Sequence, residues 1–190
     1  MMSFFRPLAI VLGCAALAAL SGCYVQSLQP AYTDKTMTYD PELVGTWVSD
    51  EDEEYVFTMS DTTRGMYTLS SDEGGSTARF EAALFQVGGA AFLDIYPEAP
   101  ETENTFYMDH LLRVHNILRV QMDADTLWVQ DFDAEWLQNA IDKKKVRVSN
   151  VPLDGAILLT GSTSELQSFV TRYAKINEAF SEPAKFVRSN

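Results

Sequence analysis

Cys14 and Cys23, His110 and His115, and the acidic run SDEDEEY at 49–55 are the side chains whose type and spacing could carry chemistry. The two histidines stand five residues apart. On a strand that spacing puts them on opposite faces; on a helix it turns them about 140° apart. Neither arrangement lets them share a metal, and both are expected on the surface or in loops. In the acidic run, Asp50, Asp52 and Glu54 would share one strand face and could attract Ca²⁺. The Asp/Asn-Gly framework of an EF-hand loop is missing, however, so the run reads as a solvated charge cluster beside a turn. There is no G-x-S-x-G elbow, no H-E-x-x-H pair and no phosphate-binding glycine loop. The expectation is a protein that is not an enzyme, with no catalytic residues, no cofactor and no metal.

The cysteines say more. Residues 1–22, MMSFFRPLAIVLGCAALAALSG, carry Arg6 as their one charge and an apolar run of fourteen residues, Pro7 to Leu20. Crossing a hydrocarbon core takes roughly 20 residues, whereas the apolar region of a secretory signal takes about 7–15. Small residues then lead into Cys23. The tetrad Leu20-Ser21-Gly22-Cys23 resembles the bacterial lipobox. That resemblance implies cleavage between Gly22 and Cys23, acyl chains of the palmitate kind on Cys23, and a mature chain anchored in the cell envelope. A plain cleavage site and an uncleaved anchor are the competing readings. Val11-Leu12-Gly13-Cys14 comes too early to leave an apolar region before it. Tyr24 stands where, in enterobacterial lipoproteins, an aspartate means inner-membrane retention, which favours the outer membrane.

Composition narrows the partners. Arg6 is the only charge before Cys23, so the rest of the chain keeps all 27 acidic residues against one basic residue fewer than the full 14. Such a chain repels nucleic acid and anionic surfaces. Membrane attachment should therefore come through the acyl chains on Cys23. With Cys14 in the leader and Cys23 taken by lipid, no thiol remains for a disulfide or a zinc site, and the fold must rest on its core.

Three segments follow: a signal peptide at 1–22, a flexible tether at 23–40 and a globular domain at 41–190. The tether is assigned because YVQSLQPAYTDKTMTYD shows no sustained periodicity. Beyond it, Trp47, then Tyr55 and Phe57, then Phe80 and Leu84, then Leu93 alternate with polar neighbours in short runs. Gly pairs at 74–75 and 88–89 mark hairpins. HLLRVHNILRVQM offers Leu118 and Val120 on one face, and TLWVQDF offers Leu127 and Val129. That succession predicts an antiparallel meander closing into a barrel or sandwich. Asp133 is a good N-cap for a helix burying Trp136, Leu137, Ala140 and Ile141. Two strand-like runs, VRVSNV and AILLTG, come next. A last helix starts at Ser162 with Glu165 as its capping-box partner, its apolar spacing running from Leu166 to Phe180.

LVGTW at 43–47 resembles the Gly-x-Trp motif that opens the first strand of lipocalin-like barrels, where the Trp closes the floor. The pattern covers about residues 41–131. Landmarks such as FLD-YPE also resemble uncharacterised bacterial envelope lipoproteins. The fold this implies is mainly β (α+β): an antiparallel lipocalin-like barrel with two packing helices. The helix ahead of the last strand pair departs from the lipocalin pattern. Trp47, Tyr55, Phe57, Phe80, Leu84, Leu93, Leu118, Val120, Leu127 and Val129 are expected inside the barrel. An interior of eight strands is either just filled by side chains or holds one small ligand, and filling is the plainer expectation. The functional expectation is non-enzymatic binding of a small apolar ligand or an envelope protein, with a solid structural barrel or an envelope hydrolase as alternatives.

Overall fold

The computed structural model describes residues 24–61, 65–73, 76–100 and 104–189. The leader, and with it Gly22 and Cys23, lies outside them. In chain order the elements are β1 (Tyr24–Ser27), β2 (Gly45–Ser49), β3 (Glu54–Asp61), β4 (Met66–Glu73), β5 (Ser76–Val87), β6 (Ala90–Pro97), α1 (Thr105–Met108), β7 (His115–Asp123), β8 (Thr126–Gln130), α2 (Ala134–Asp142), β9 (Asn150–Leu153), β10 (Ala156–Leu159), α3 (Thr163–Tyr173) and β11 (Ala184–Ser189).

Strands β2 to β6 form the expected meander. The order continues β2-β11-β8-β7, and β7 pairs with β6, so an antiparallel barrel of eight strands closes on itself. Closure removes the exposed edges that an open sheet would present. One end of the barrel, the floor, carries the start of β2 and the tight turns β5–β6 and β7–β8. The other end, the mouth, carries the β2–β3 turn and the long connections after β6 and β8.

Two cores result from the period-2 alternation of side chains. Trp47, Phe57, Leu69, Leu84, Leu93 and Leu127 belong to the core inside the barrel. Phe85, Phe92 and Ile117 point outward from β5, β6 and β7 and meet Leu137 of α2 and Leu166, Phe169 and Val170 of α3. Residues 82–85 of β5 are therefore all buried, as a strand covered on both faces must be. Asp133 caps α2 by accepting from the Trp136 N–H at 2.7 Å. Ser162 caps α3 through the Glu165 N–H, but the Glu165 carboxylate reaches the Ser149 N–H at 2.6 Å rather than closing the box.

Several expectations need correction. The segment expected to be a tether is built into the fold. β1 pairs parallel with β10 and antiparallel with β7. Ala31 is fully buried, the Thr38 N–H donates to the Leu84 carbonyl, and the Gln86 N–H donates to the Thr36 carbonyl. Its apolar residues are buried singly along an irregular strap, which leaves no period to read. AILLTG supplies β10, but of VRVSNV only Asn150 and Val151 enter β9, which runs on through Pro152 and Leu153; both strands lie beside β1 outside the barrel. The strand that closes the barrel is β11, too short and too close to the end of the helical pattern to stand out. The last helix stops at Tyr173; Asn177 lies in a separate 3-10 turn and Phe180 follows it. β7 begins only at His115, and a four-residue helix, α1, precedes it.

Candidate functional site

Trp47 anchors the barrel floor. Its ring is fully buried, and its indole N–H donates to the Leu43 carbonyl at 2.9 Å. The Arg188 guanidinium lies 4.3 Å from the ring centroid and donates to the Val44 and Glu42 carbonyls. A Cβ at residue 45 would fall 2.6 Å from Arg188 Nη1. The glycine of the Gly-x-Trp pattern is the space into which this arginine folds.

Above Trp47 the barrel is not filled. A cavity of about 310 Å³ runs from the floor to the mouth. Its wall is Trp47, Tyr55, Phe57, Leu69, Leu93, Ile95, Leu118, Leu127, Val129 and Phe186, with Tyr55 and Phe186 in edge contact at 5.1 Å. The rim is polar: Glu53 ahead of β3, Asn116 on β7, Asp131 just past β8, and Ser181 and Glu182 ahead of β11, with Tyr24 beside them. Among the described residues no lysine, arginine or histidine lines the cavity. The topology of β7 makes the mouth. It pairs with β8 through Arg119–Asp123 and with β1 at His115 and Asn116, so the chain leaving β8 and the start of β1 part around the opening.

Asp131 is the notable rim residue. Its backbone is pinned: its N–H donates to Ser181 Oγ at 3.1 Å and its carbonyl accepts from the Ser181 N–H at 2.9 Å. Among the described residues nothing donates to its carboxylate or pairs with it. Burial pushes that carboxyl above the ordinary aspartate value.

The ten residues expected inside the barrel fall in one cluster, six of them buried and Tyr55, Phe80, Leu118 and Val129 half-buried against it. Seven line the cavity. Leu84 and Val120 instead border a wider depression of about 590 Å³ near the floor, whose wall also takes in outward-facing Arg119 and Lys175. Phe80 lines neither. The rim is what sequence reasoning missed. Asp131 and Glu182 lie in the connection between β8 and β11, and only their distance in the fold, not their spacing, relates them to Glu53.

His115 is also placed differently from expectation. It is buried, with Nδ1 2.6 Å from Asp94 Oδ1. A carboxylate has no hydrogen to give, so Nδ1 donates. The other carboxylate oxygen accepts the Ala31 N–H at 2.8 Å. Tyr96 stacks on the imidazole at 4.4 Å, and Arg113 lies over Tyr96. A carboxylate orienting an imidazole is half of a hydrolytic triad. Ser27 stands opposite His115 on β1, yet its hydroxyl donates to the Gln29 carbonyl at 2.7 Å. Neither Asp94 nor His115 lines the two cavities described here. The pair instead ties the strap at Ala31 to β6 and β7. His110 is exposed after α1, its ring against the Phe106 carbonyl. Asp50 to Glu54 are exposed around the β2–β3 turn.

Among the described residues no group of three or more His, Cys, Asp or Glu is placed to hold a metal ion, and no helix is long and apolar enough to cross a membrane. No protein-family model, curated protein or solved structure matches the chain.

Proposed function

We propose that this chain is a lipid-anchored protein of the cell envelope whose barrel binds a small apolar ligand without acting on it chemically. The observation that carries the reading is the cavity. Its volume sits at the lower end of small-molecule sites, and it combines apolar walls with a few convergent polar groups at one opening. A barrel serving only as a solid scaffold would close that space with larger side chains, since an unfilled apolar volume costs stability. The anchor rests on the lipobox-like tetrad Leu20-Ser21-Gly22-Cys23, and Tyr24 favours the outer membrane. The resemblance of Gly45-x-Trp47 to lipocalin-like barrels supports ligand carriage in the same way.

Mass spectrometry of the native protein, under denaturing and then native conditions, tests both halves. The expected result is a chain that begins at an acylated Cys23 and retains a small molecule in the native spectrum. An unacylated chain beginning elsewhere would sink the anchor. Ligand carriage fails if the native protein carries nothing and Leu93→Trp, which fills the cavity, leaves small-molecule binding unchanged.

A further inference from the structure

The chemistry of the mouth sharpens the ligand-binding reading, on which this inference rests. We infer that the ligand is a cationic amphiphile: an apolar body inside the barrel, and an amine or quaternary ammonium group held at the mouth by Asp131 with Glu53 and Glu182 beside it. The body has its place between Trp47, Phe57, Leu69 and Leu93, where about 310 Å³ is open. The charge preference follows from the rim. Among the described residues three carboxylates and no basic side chain line this cavity. An anionic head would meet unopposed negative charge, strongest from half-buried Asp131, where water is partly excluded and Coulomb energies grow, and weaker from exposed Glu53 and Glu182.

A neutral head fares better than an anion but leaves the half-buried Asp131 carboxylate without a counter-charge. Burial already disfavours its ionised form, so a cation that arrives there relieves a penalty present in the free protein. The backbone that carries this partner-free carboxylate is fixed by the two Ser181–Asp131 hydrogen bonds, so pairing has only the short side chain to order. Tyr24 at the rim and Tyr55 below it add aromatic faces of the kind that attract ammonium groups.

The test compares three probes that share one apolar body: 4-phenylbutylamine, 4-phenylbutanol and 4-phenylbutyrate. Each is titrated calorimetrically into the full-length lipoprotein in zwitterionic nanodiscs, with empty nanodiscs as the blank. The amine should bind at least tenfold tighter than the alcohol, and the acid more weakly than either. Asp131→Asn, which keeps the side-chain shape, should cut amine affinity about tenfold and leave the alcohol unchanged. The double change Glu53→Gln with Glu182→Gln should lower it further in the same direction, and a thermal melt no lower than that of the native protein certifies each variant. Equal binding of amine and alcohol, or tightest binding of the acid, would overturn the cation preference while leaving ligand carriage standing. Binding by none of the three would overturn both.

Discussion

Asp131 and Asp94 are two aspartates withdrawn from water in opposite ways. Asp131 has no counter-charge, and burial raises its carboxyl above the ordinary value of 3.8. Between those two values the folded protein keeps a proton that the unfolded chain has released, so stability falls as pH rises through that interval. The contribution is fully present below the ordinary value and is gone above the raised one. Among the described residues the other titratable groups lining the cavity mouth are Glu53, Glu182 and Tyr24, none of them a cation that would counteract the effect. Urea midpoints measured across the interval should decline in the native protein, and the decline should be absent in Asp131→Asn. Amine affinity should rise with pH over the same interval. Asp94, by contrast, accepts from both His115 and Ala31. Asp94→Ala strands a buried imidazole and a buried backbone N–H, and should cost about 3–5 kcal/mol in denaturant unfolding. A loss below 1 kcal/mol would mean that the strap is held by other contacts. The sequence shows why one aspartate was visible and the other hidden. Asp94 breaks the apolar alternation of FLDIY and can be seen as an outward position, though its partner cannot. Asp131 ends a strand like many other loop aspartates, and its isolation exists only once Ser181 and β1 arrive from distant parts of the chain.

At the scale of elements, the β5–β6 hairpin is where local and tertiary demands coincide. Gly88 and Gly89 have φ of 61° and 73°, which a two-residue turn between right-twisted strands requires. At Gly88 helix α3 presses on the turn: an added Cβ would lie 2.7 Å from the Thr171 carbonyl oxygen and from Ala174 Cβ. Gly88→Ala should therefore combine the backbone penalty with displacement of α3 and cost about 2–4 kcal/mol. Gly155, in the β9–β10 turn, has φ of 73° and nothing within 4 Å of an added Cβ. Gly155→Ala should cost only about 1 kcal/mol. Chemical denaturation of the two variants separates the packing contribution from the backbone one; equal losses would show that α3 yields freely. The hairpins and the inward residues of the meander were legible because turn chemistry and period-2 alternation act over a few residues. β1 and β11 were not, for a shared reason. Each is short, and each becomes a strand by adding to an edge that another part of the chain supplies: β1 joins β10 and β7, and β11 joins β2 and β8. Such pairing leaves little trace in the local sequence.

For the whole molecule, the ordered start of β1 changes how an anchored barrel would sit. The seventeen residues of a flexible tether that follow Cys23 could hold the domain up to about 60 Å from its anchor. Instead Tyr24, one peptide step of about 3.8 Å beyond Cys23, is already paired in β1. Acyl chains on Cys23 would then bring the barrel mouth, which Tyr24 lines, against the headgroups. The β9–β10 edge would come with it, since Ala156 lies opposite Tyr24 and Leu153 opposite Ala156. Val151 and Leu153 are exposed there, at 46% and 50%. The surface charge opposes this contact, because an acidic domain is repelled by anionic lipid. A single fluorophore measures the outcome, since Cys14 and Cys23 are the sequence's two cysteines and cleavage before Cys23 would remove Cys14. Placed at Leu153→Cys, it should be quenched by brominated zwitterionic lipids; placed at Asp125→Cys, in the β7–β8 turn at the floor, it should not. Anionic lipid should weaken the quenching at 153, and added salt should restore it as the Debye length shortens. A Gly/Ser insert of twelve residues after Cys23 would let the domain drift by roughly 20 Å and should abolish the quenching. Equal quenching at 153 and 125, or indifference to the insert, would refute a barrel seated mouth-down on the membrane. It would also remove the bilayer as the place where the cavity exchanges its ligand.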